Sequence, residues 1–255
     1  YPGPFFSRQP MDFAKSEEFL KMASAQSSNE KAINLQLVQT LAGQYKFYEA
    51  RDLAKRILAA GTENDFDFML SKIVEAFDSM GEYQFADAFL MEQALIRKTA
   101  NKSLTPIQVV KVGRETAQKK SIGLENPTTV MELNRKGALL AITQQCDKAM
   151  PLLDKSMDIS ENPTAARYAI QCLMGQKDYE SVWNTSNALV SLDKNDVVAL
   201  CFRAILFSMQ AGEERAQAEK AEADLNKAIS VFPELASFFN GLDNAKKIYQ
   251  FQSKP

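Results

Sequence analysis

Apolar residues recur at helical spacing through most of the chain. Polar clusters carrying Gly, Pro, Asn or Asp separate the runs. The alternation that marks half-buried strands is missing between these turn signals, so the pattern predicts an all-α protein. It places helices at about 11–26, 29–43, 46–60, 65–80, 83–99, 106–120, 127–143, 147–158, 163–175, 178–191, 196–211, 214–231, 233–241 and 242–251. Pro10, Pro106, Pro127, Pro163 and Pro233 each suit a first helical turn, where a missing N–H costs nothing. Thr105, Asn126 and Asn162 precede three of them as N-caps, and Gly61 and Gly175 follow apolar runs as helix ends. Most connections are short, so consecutive helices are expected to pack antiparallel.

A short phrase recurs between these helices. It reads Gly81-Glu82-Tyr83-Gln84-Phe85-Ala86 and returns as Tyr45-Lys46-Phe47-Tyr48-Glu49-Ala50, Gln144-Gln145-Cys146-Asp147-Lys148-Ala149 and Lys177-Asp178-Tyr179-Glu180-Ser181-Val182. Each copy has a polar turn, an aromatic or sulfur side chain, and a small or short residue three positions later. Those last residues fall at 50, 86, 149 and 182, at intervals of 36, 63 and 33. A period near 34 marks an array of helix–turn–helix repeats. The long interval holds an extra helix and the loop Ser121-Ile122-Gly123-Leu124-Glu125-Asn126. The expected organisation is an extended arm at 1–10, a repeat sub-array at 11–100, a degenerate repeat or joint at 101–126, and a second sub-array with capping helices at 127–255.

The phrase resembles the tetratricopeptide repeat (TPR). Gly81, Tyr83 and Ala86 match its turn and the start of its second helix. Gly137 and Ala149 match its small crossing residues, and Ala228 with Pro233 matches a repeat end. Val182 departs from the expected alanine, and the last repeat carries extra residues around 211–220. The resemblance covers most of 29–233 and implies an α-solenoid of antiparallel helix pairs wound into a right-handed superhelix. It also implies that the first helix of each pair lines a groove for a peptide or partner helix. Transferred by register, that face carries Gln39, Ser71, Glu75, Asp78, Asn134, Arg167, Gln171 and Met174. Arg167 and Gln171, one turn apart, are the leading pair, and charge reversal at Arg167 is expected to weaken a partner without unfolding the scaffold. Some family members clamp the carboxylate of chaperone tails with lysine and asparagine. The matching positions here are Leu35 and Gln39, Ser71 and Glu75, and Asn134 and Ala138, and they form no such clamp.

Composition narrows the chemistry. Lys and Arg total 30 against 32 Asp and Glu, so bulk attraction to nucleic acid or an anionic membrane is not expected. The chain has no histidine, which rules out a Ser-His-Asp or Cys-His site of its own. Cys146, Cys172 and Cys201 lack zinc or redox spacing and read as small core residues, with one disulfide left open. Trp183 reads as a packing residue. The adjacent Glu213 and Glu214 do not face each other on a helix and make no catalytic pair. Phosphate loops, dinucleotide fingerprints and metal spacings are missing, so no enzyme activity, cofactor or metal is expected. No run is long enough to span a membrane. Tyr1-Pro2-Gly3-Pro4-Phe5-Phe6 lacks the shape of a signal peptide, and an opening tyrosine suits a processed chain or a piece of a longer one. A soluble protein of cytoplasm or periplasm is expected. The function implied is a non-catalytic protein-interaction scaffold. An assembly factor of a bacterial envelope or secretion machine is the alternative, and an enzyme or small-ligand receptor on the same array is the third class.

Overall fold

A computed structural model of the chain describes residues 13–24, 30–211 and 215–239. All regular structure among them is helical: α1 Phe13–Ser24, α2 Glu30–Gly43, α3 Phe47–Ala60, α4 Glu63–Ser79, α5 Tyr83–Thr99, α6 Thr105–Ile122, α7 Val130–Ile142, α8 Cys146–Ile159, α9 Pro163–Gly175, α10 Tyr179–Leu192, α11 Val197–Ala211, α12 Arg215–Val231 and α13 Pro233–Ala236. The all-α expectation holds. The arm at 1–10, Pro10, the Glu213-Glu214 pair and the helix expected at 242–251 lie outside the described residues. No helix among the described residues is long and apolar enough to cross a membrane.

Three starts show how caps decide boundaries. Asn162 caps α9 as expected, its side chain accepting from the Ala165 N–H at 3.2 Å with Pro163 next in line. Thr105 is the first residue of α6 and Leu104 its cap. The start expected at Pro127 is corrected to Val130. Thr129 forms a capping box there, its hydroxyl taking the Glu132 N–H while the Glu132 carboxylate takes the N–H groups of Thr128 and Thr129. Those two backbone donors hold the Glu132 carboxyl below its ordinary range. Two satisfied donors outweigh the φ preference of Pro127.

The recurring phrase is a recurring structure. Its first residue adopts a left-handed backbone in all four copies, with φ of 60° at Tyr45, 87° at Gly81, 60° at Gln144 and 63° at Lys177. In three copies the two helix-ending bonds of a Schellman turn are present, as in Tyr45 N–H to Ala42 O at 2.9 Å and Lys46 N–H to Leu41 O at 2.9 Å. Gln144 with Gln145, and Lys177 with Asp178, repeat that pair of bonds. The second residue is the N-cap of the following helix in each copy: Lys46, Glu82, Gln145 and Asp178. The sixth residue, Ala50, Ala86, Ala149 or Val182, is 0% exposed in all four. At Ala50, Ala149 and Val182 the short side chain lets the packed helices α2–α3, α7–α8 and α9–α10 cross closely. Gly137 does the same from the first helix of its pair, since a Cβ on it would lie 2.7 Å from Cδ2 of Leu153 on α8.

The chain divides into two compact units, residues 1–77 and 78–255. In the first, α1 packs on α2 and α2 on α3. Phe47 sits between the rings of Tyr45 and Phe77, with centroids 6.1 and 6.5 Å away. Glu17 of α1 is bonded by Lys21, by Lys46 at 2.7 Å and by Gln44 at 3.0 Å.

In the second unit, α6 to α13 each touch the next helix in order. Alternate helices touch as well, α7 with α9, α9 with α11 and α11 with α13. The second unit is thus packed mainly by helices that are near neighbours in sequence, with α5 on α13 as a longer-range contact. Leu139, Leu140, Leu153, Tyr168 and Cys172 form a core there together with Tyr83 from α5. Trp183 is a packing residue, its ring edge-on to Phe207 at 5.0 Å. Cys146 and Cys172 are joined as a disulfide between α8 and α9. This corrects their reading as separate core residues: hairpin pairing brings together two positions that lie 26 apart in sequence. Cys201 is buried and free, and burial pushes its thiol up to about 12, which makes it inert at neutral pH.

Candidate functional site

The eight residues expected to line a groove fall into three groups. Gln39, Ser71 and Glu75 are exposed on α2 and α4 of the first unit, with Glu75 accepting from Lys72 at 2.8 Å. Asp78 and Met174 are half-buried. Asn134, Arg167 and Gln171, on the first helices of their pairs in the second unit, are brought together around a segment of the same chain.

That segment is the corner between α4 and α5, residues Met80 to Phe85. Arg167 is buried, 5% exposed, and its guanidinium donates to the Glu82 carboxylate and, at 2.8 Å, to Asp196. Thr164, one turn earlier on α9, donates its hydroxyl to the same Glu82 oxygen at 2.8 Å. Gln171, one turn later, exchanges amide bonds with Gln84 at 2.8 and 3.0 Å. The Tyr168 hydroxyl, from a fully buried ring, accepts from the Gln84 N–H at 3.3 Å. One face of α9 thus grips Glu82 and Gln84 through four successive positions. Burial, and after it the neighbouring Glu82 carboxylate, pushes the Tyr168 phenol well above its ordinary value, so it stays protonated and keeps its donor.

Asn134 serves a second cluster. Its Oδ1 accepts from Ser156 at 2.7 Å and from Asn162 at 2.7 Å, and its Nδ2 donates to the Met80 carbonyl at 3.3 Å. α7, α8, α9 and the corner meet at this one amide. Gly81 lies against it, and a Cβ there would come within 3.0 Å of the Asn134 carbonyl carbon. Further along, Phe85 stacks edge-on to Phe232 at 5.1 Å, and α5 packs on α13.

Asp78 is held by a different residue. Arg114 of α6 meets both its oxygens at 2.7 and 2.8 Å, also reaches Asp87, and donates to the Tyr83 carbonyl at 3.1 Å. Burial opposes the charge on Arg114, but Asp78 and Asp87 overcome it and raise the guanidinium above its ordinary value. The helix read as a joint therefore anchors the start of α5 to the end of α4.

Asn134 and Arg167 are buried structural groups and do not form an open polar face. Two carboxylates and a backbone carbonyl of the same chain take the donors a partner was expected to take. Burying an arginine beside Glu82 and Asp196 satisfies its charge where water cannot. The sequence reading missed Glu82, Gln84, Asp196 and Arg114. Asp196 had a legible signal, since it caps α11 by accepting from Ala199 N–H at 2.9 Å. Glu82 stands inside the recurring phrase but looks like an ordinary turn residue. No protein-family model matches the chain, and no curated protein matches it.

Proposed function

We propose that this chain is a non-catalytic protein-interaction scaffold built as a tetratricopeptide-like α-solenoid. The observation that carries the reading is the four-fold recurrence of one turn. Each copy has a left-handed first residue and a sixth residue with no exposure, and the helices that flank the copies at 45, 144 and 177 pack on each other. Arrays of such pairs offer long preformed faces, and a preformed face binds without the ordering cost a flexible segment incurs. With the corner Met80–Phe85 held on α9, Gln39, Ser71 and Glu75 are the expected groove positions that stand exposed to a partner. Extended peptides or partner helices suit such polar helical faces.

The test is a photo-crosslinking scan in the cells that make the protein, with a benzoylphenylalanine placed singly at Gln39, Ser71, Glu75 and the other exposed positions. The scaffold reading expects one discrete protein adduct from a contiguous set of positions. A scan with no adduct from any position overturns it.

The Cys146–Cys172 bridge favours a second reading, an assembly factor of a bacterial envelope or secretion machine, because disulfides persist in oxidising compartments. Alkylating the protein in intact cells before denaturation decides it. The envelope reading expects one reactive thiol after unfolding, Cys201, and three thiols contradict it.

A further inference from the structure

α5 and α6 form a hairpin whose outer side is apolar and open. A short loop joins them, and Arg114 of α6 donates to Asp87 near the start of α5, so α6 runs back along α5. Met91 and Leu95, one turn apart on α5, are 40% and 58% exposed. Val109 and Val112, one turn apart on α6, are 58% and 65% exposed. Single exposed apolar side chains are ordinary, but four on one hairpin make a patch. Gly113 follows Val112, and a Cβ added to it would meet nothing within 4 Å. Glycine weakens a helix interior, and packing within the chain does not call for one here. It leaves a shallow spot beside the valines where a second backbone can approach.

The charges around the patch are of one sign. From Tyr83 to Ile122 the exposed charged residues are Lys98, Lys102, Lys111, Lys119 and Lys120 against Glu115 alone. The remaining carboxylates of the hairpin are committed or buried: Asp87 accepts from Arg114, and Glu92 is 6% exposed. Glu115 can neutralise one lysine, which leaves a surplus of cations on a chain whose net charge is −2. Lys98, Lys119 and Lys120 make no ion pair among the described residues. Lys98 comes three residues after Leu95, and Lys119 seven after Val112, so each continues the apolar stripe of its own helix. Because the helices run oppositely, these two lysines stand at opposite ends of the patch.

We infer that this patch docks an acidic amphipathic helix of a partner protein, its apolar stripe on Met91, Leu95, Val109 and Val112 and its Glu or Asp side chains on Lys98 at one end and Lys119 and Lys120 at the other. The inference rests on the scaffold reading and gives it a site and a partner chemistry. With Asp87 level with Arg114, Lys98 is level with Ser103, and Lys119 lies about 24 Å further along α6. A partner helix of about 16 residues spans that distance. An apolar stripe with charged ends is what a helix presents to such a surface. Helices that lie on membranes bury tryptophan or phenylalanine, whereas the aromatic side chains of this hairpin, Tyr83, Phe85 and Phe89, are all buried in the fold.

The probe is a dye-labelled synthetic helix of about 16 residues with a leucine stripe and glutamates in its end turns. Its counterpart carries lysines in place of the glutamates. Binding to the full chain is followed by fluorescence anisotropy. The glutamate peptide is expected to bind, and the lysine peptide to bind at least about tenfold more weakly. A chain of net negative charge reaches that preference only through a local surplus of cations. The variant Lys98→Glu, Lys119→Glu is expected to weaken the glutamate peptide about tenfold or more, and Leu95→Ser, Val112→Ser to do likewise. Lys155→Glu, Lys194→Glu, the same charge change on α8 and before α11, is expected to weaken it about threefold at most. Should the double glutamate variant lose its helical circular dichroism, Lys98→Gln, Lys119→Gln takes its place, with the same direction expected. Equal affinity of the two peptides, or an equal loss in the patch and control variants, overturns the inference. So does co-sedimentation with phosphatidylserine vesicles when the glutamate peptide does not bind, which assigns the patch to an anionic membrane. A failure here alongside adducts from other faces in the crosslinking scan leaves the scaffold reading standing, and an empty scan removes both.

Discussion

At the scale of single residues, the left-handed turns and the small crossing positions bear the heaviest constraints. Gly81 combines a φ of 87° with backbone contact to Asn134, so an added methyl is strained by its own backbone and by its neighbour. Gly81→Ala is expected to cost about 1–3 kcal/mol in denaturant unfolding. Ala86 has no exposure at all, and Ala86→Leu should cost about 1–3 kcal/mol by overpacking, read as a lower midpoint at unchanged slope. Arg167 behaves differently from the sequence expectation of a tolerant surface position. Its charge reversal puts a third carboxylate beside Glu82 and Asp196, all buried. Removing one partner from such a cluster costs about 3–5 kcal/mol, so Arg167→Glu is expected to unfold the second unit or bring it to the edge of unfolding. Wild-type stability in the Arg167→Glu variant would contradict the burial.

At the scale of elements, the helices and their turns were legible because their signals are local. The phrase at 45, 81, 144 and 177 announces four turns, and the Asn162-Pro163 pair announces the start of α9. The start of α7 was misjudged because Pro127 has a helical φ preference while the capping box of Thr129 and Glu132 lies two residues on. Two elements are tied by chemistry that titrates or reduces. Hydrogen bonds from Lys21 and then Lys46 hold the Glu17 carboxyl at about 2, below its ordinary 4.5, against the opposing effect of burial. A depressed carboxyl adds stability above its ordinary value and loses it as pH falls toward the folded one. The attachment of α1 to the α2–α3 turn is therefore expected to weaken between about pH 4.5 and 2, seen as faster amide exchange in α1. Glu17→Gln should exchange faster at neutral pH and show little further change across that window. The Cys146–Cys172 bridge closes a loop of moderate length, and reducing it is expected to cost about 3 kcal/mol in the second unit. An unchanged midpoint on reduction would show that the bridge stabilises nothing.

At the scale of the whole molecule, the all-helical class follows from periodicity, but the use of each polar face does not. Helical spacing separates apolar from polar sides. It cannot say that a polar side will be covered by polar groups from elsewhere. Glu82 and Arg167 are 85 residues apart, and nothing local to either announces the other. The covering of Arg167 and Gln171 by Glu82 and Gln84 therefore emerges only from the fold. The central claim is that α9 recognises the chain's own α4–α5 corner. A double-mutant cycle of Glu82→Gln and Arg167→Met, followed by reversible denaturant unfolding, tests it most directly. The account predicts non-additive losses, with a coupling of about 1–3 kcal/mol between the two sites, and losses that add to within about 0.5 kcal/mol would contradict it.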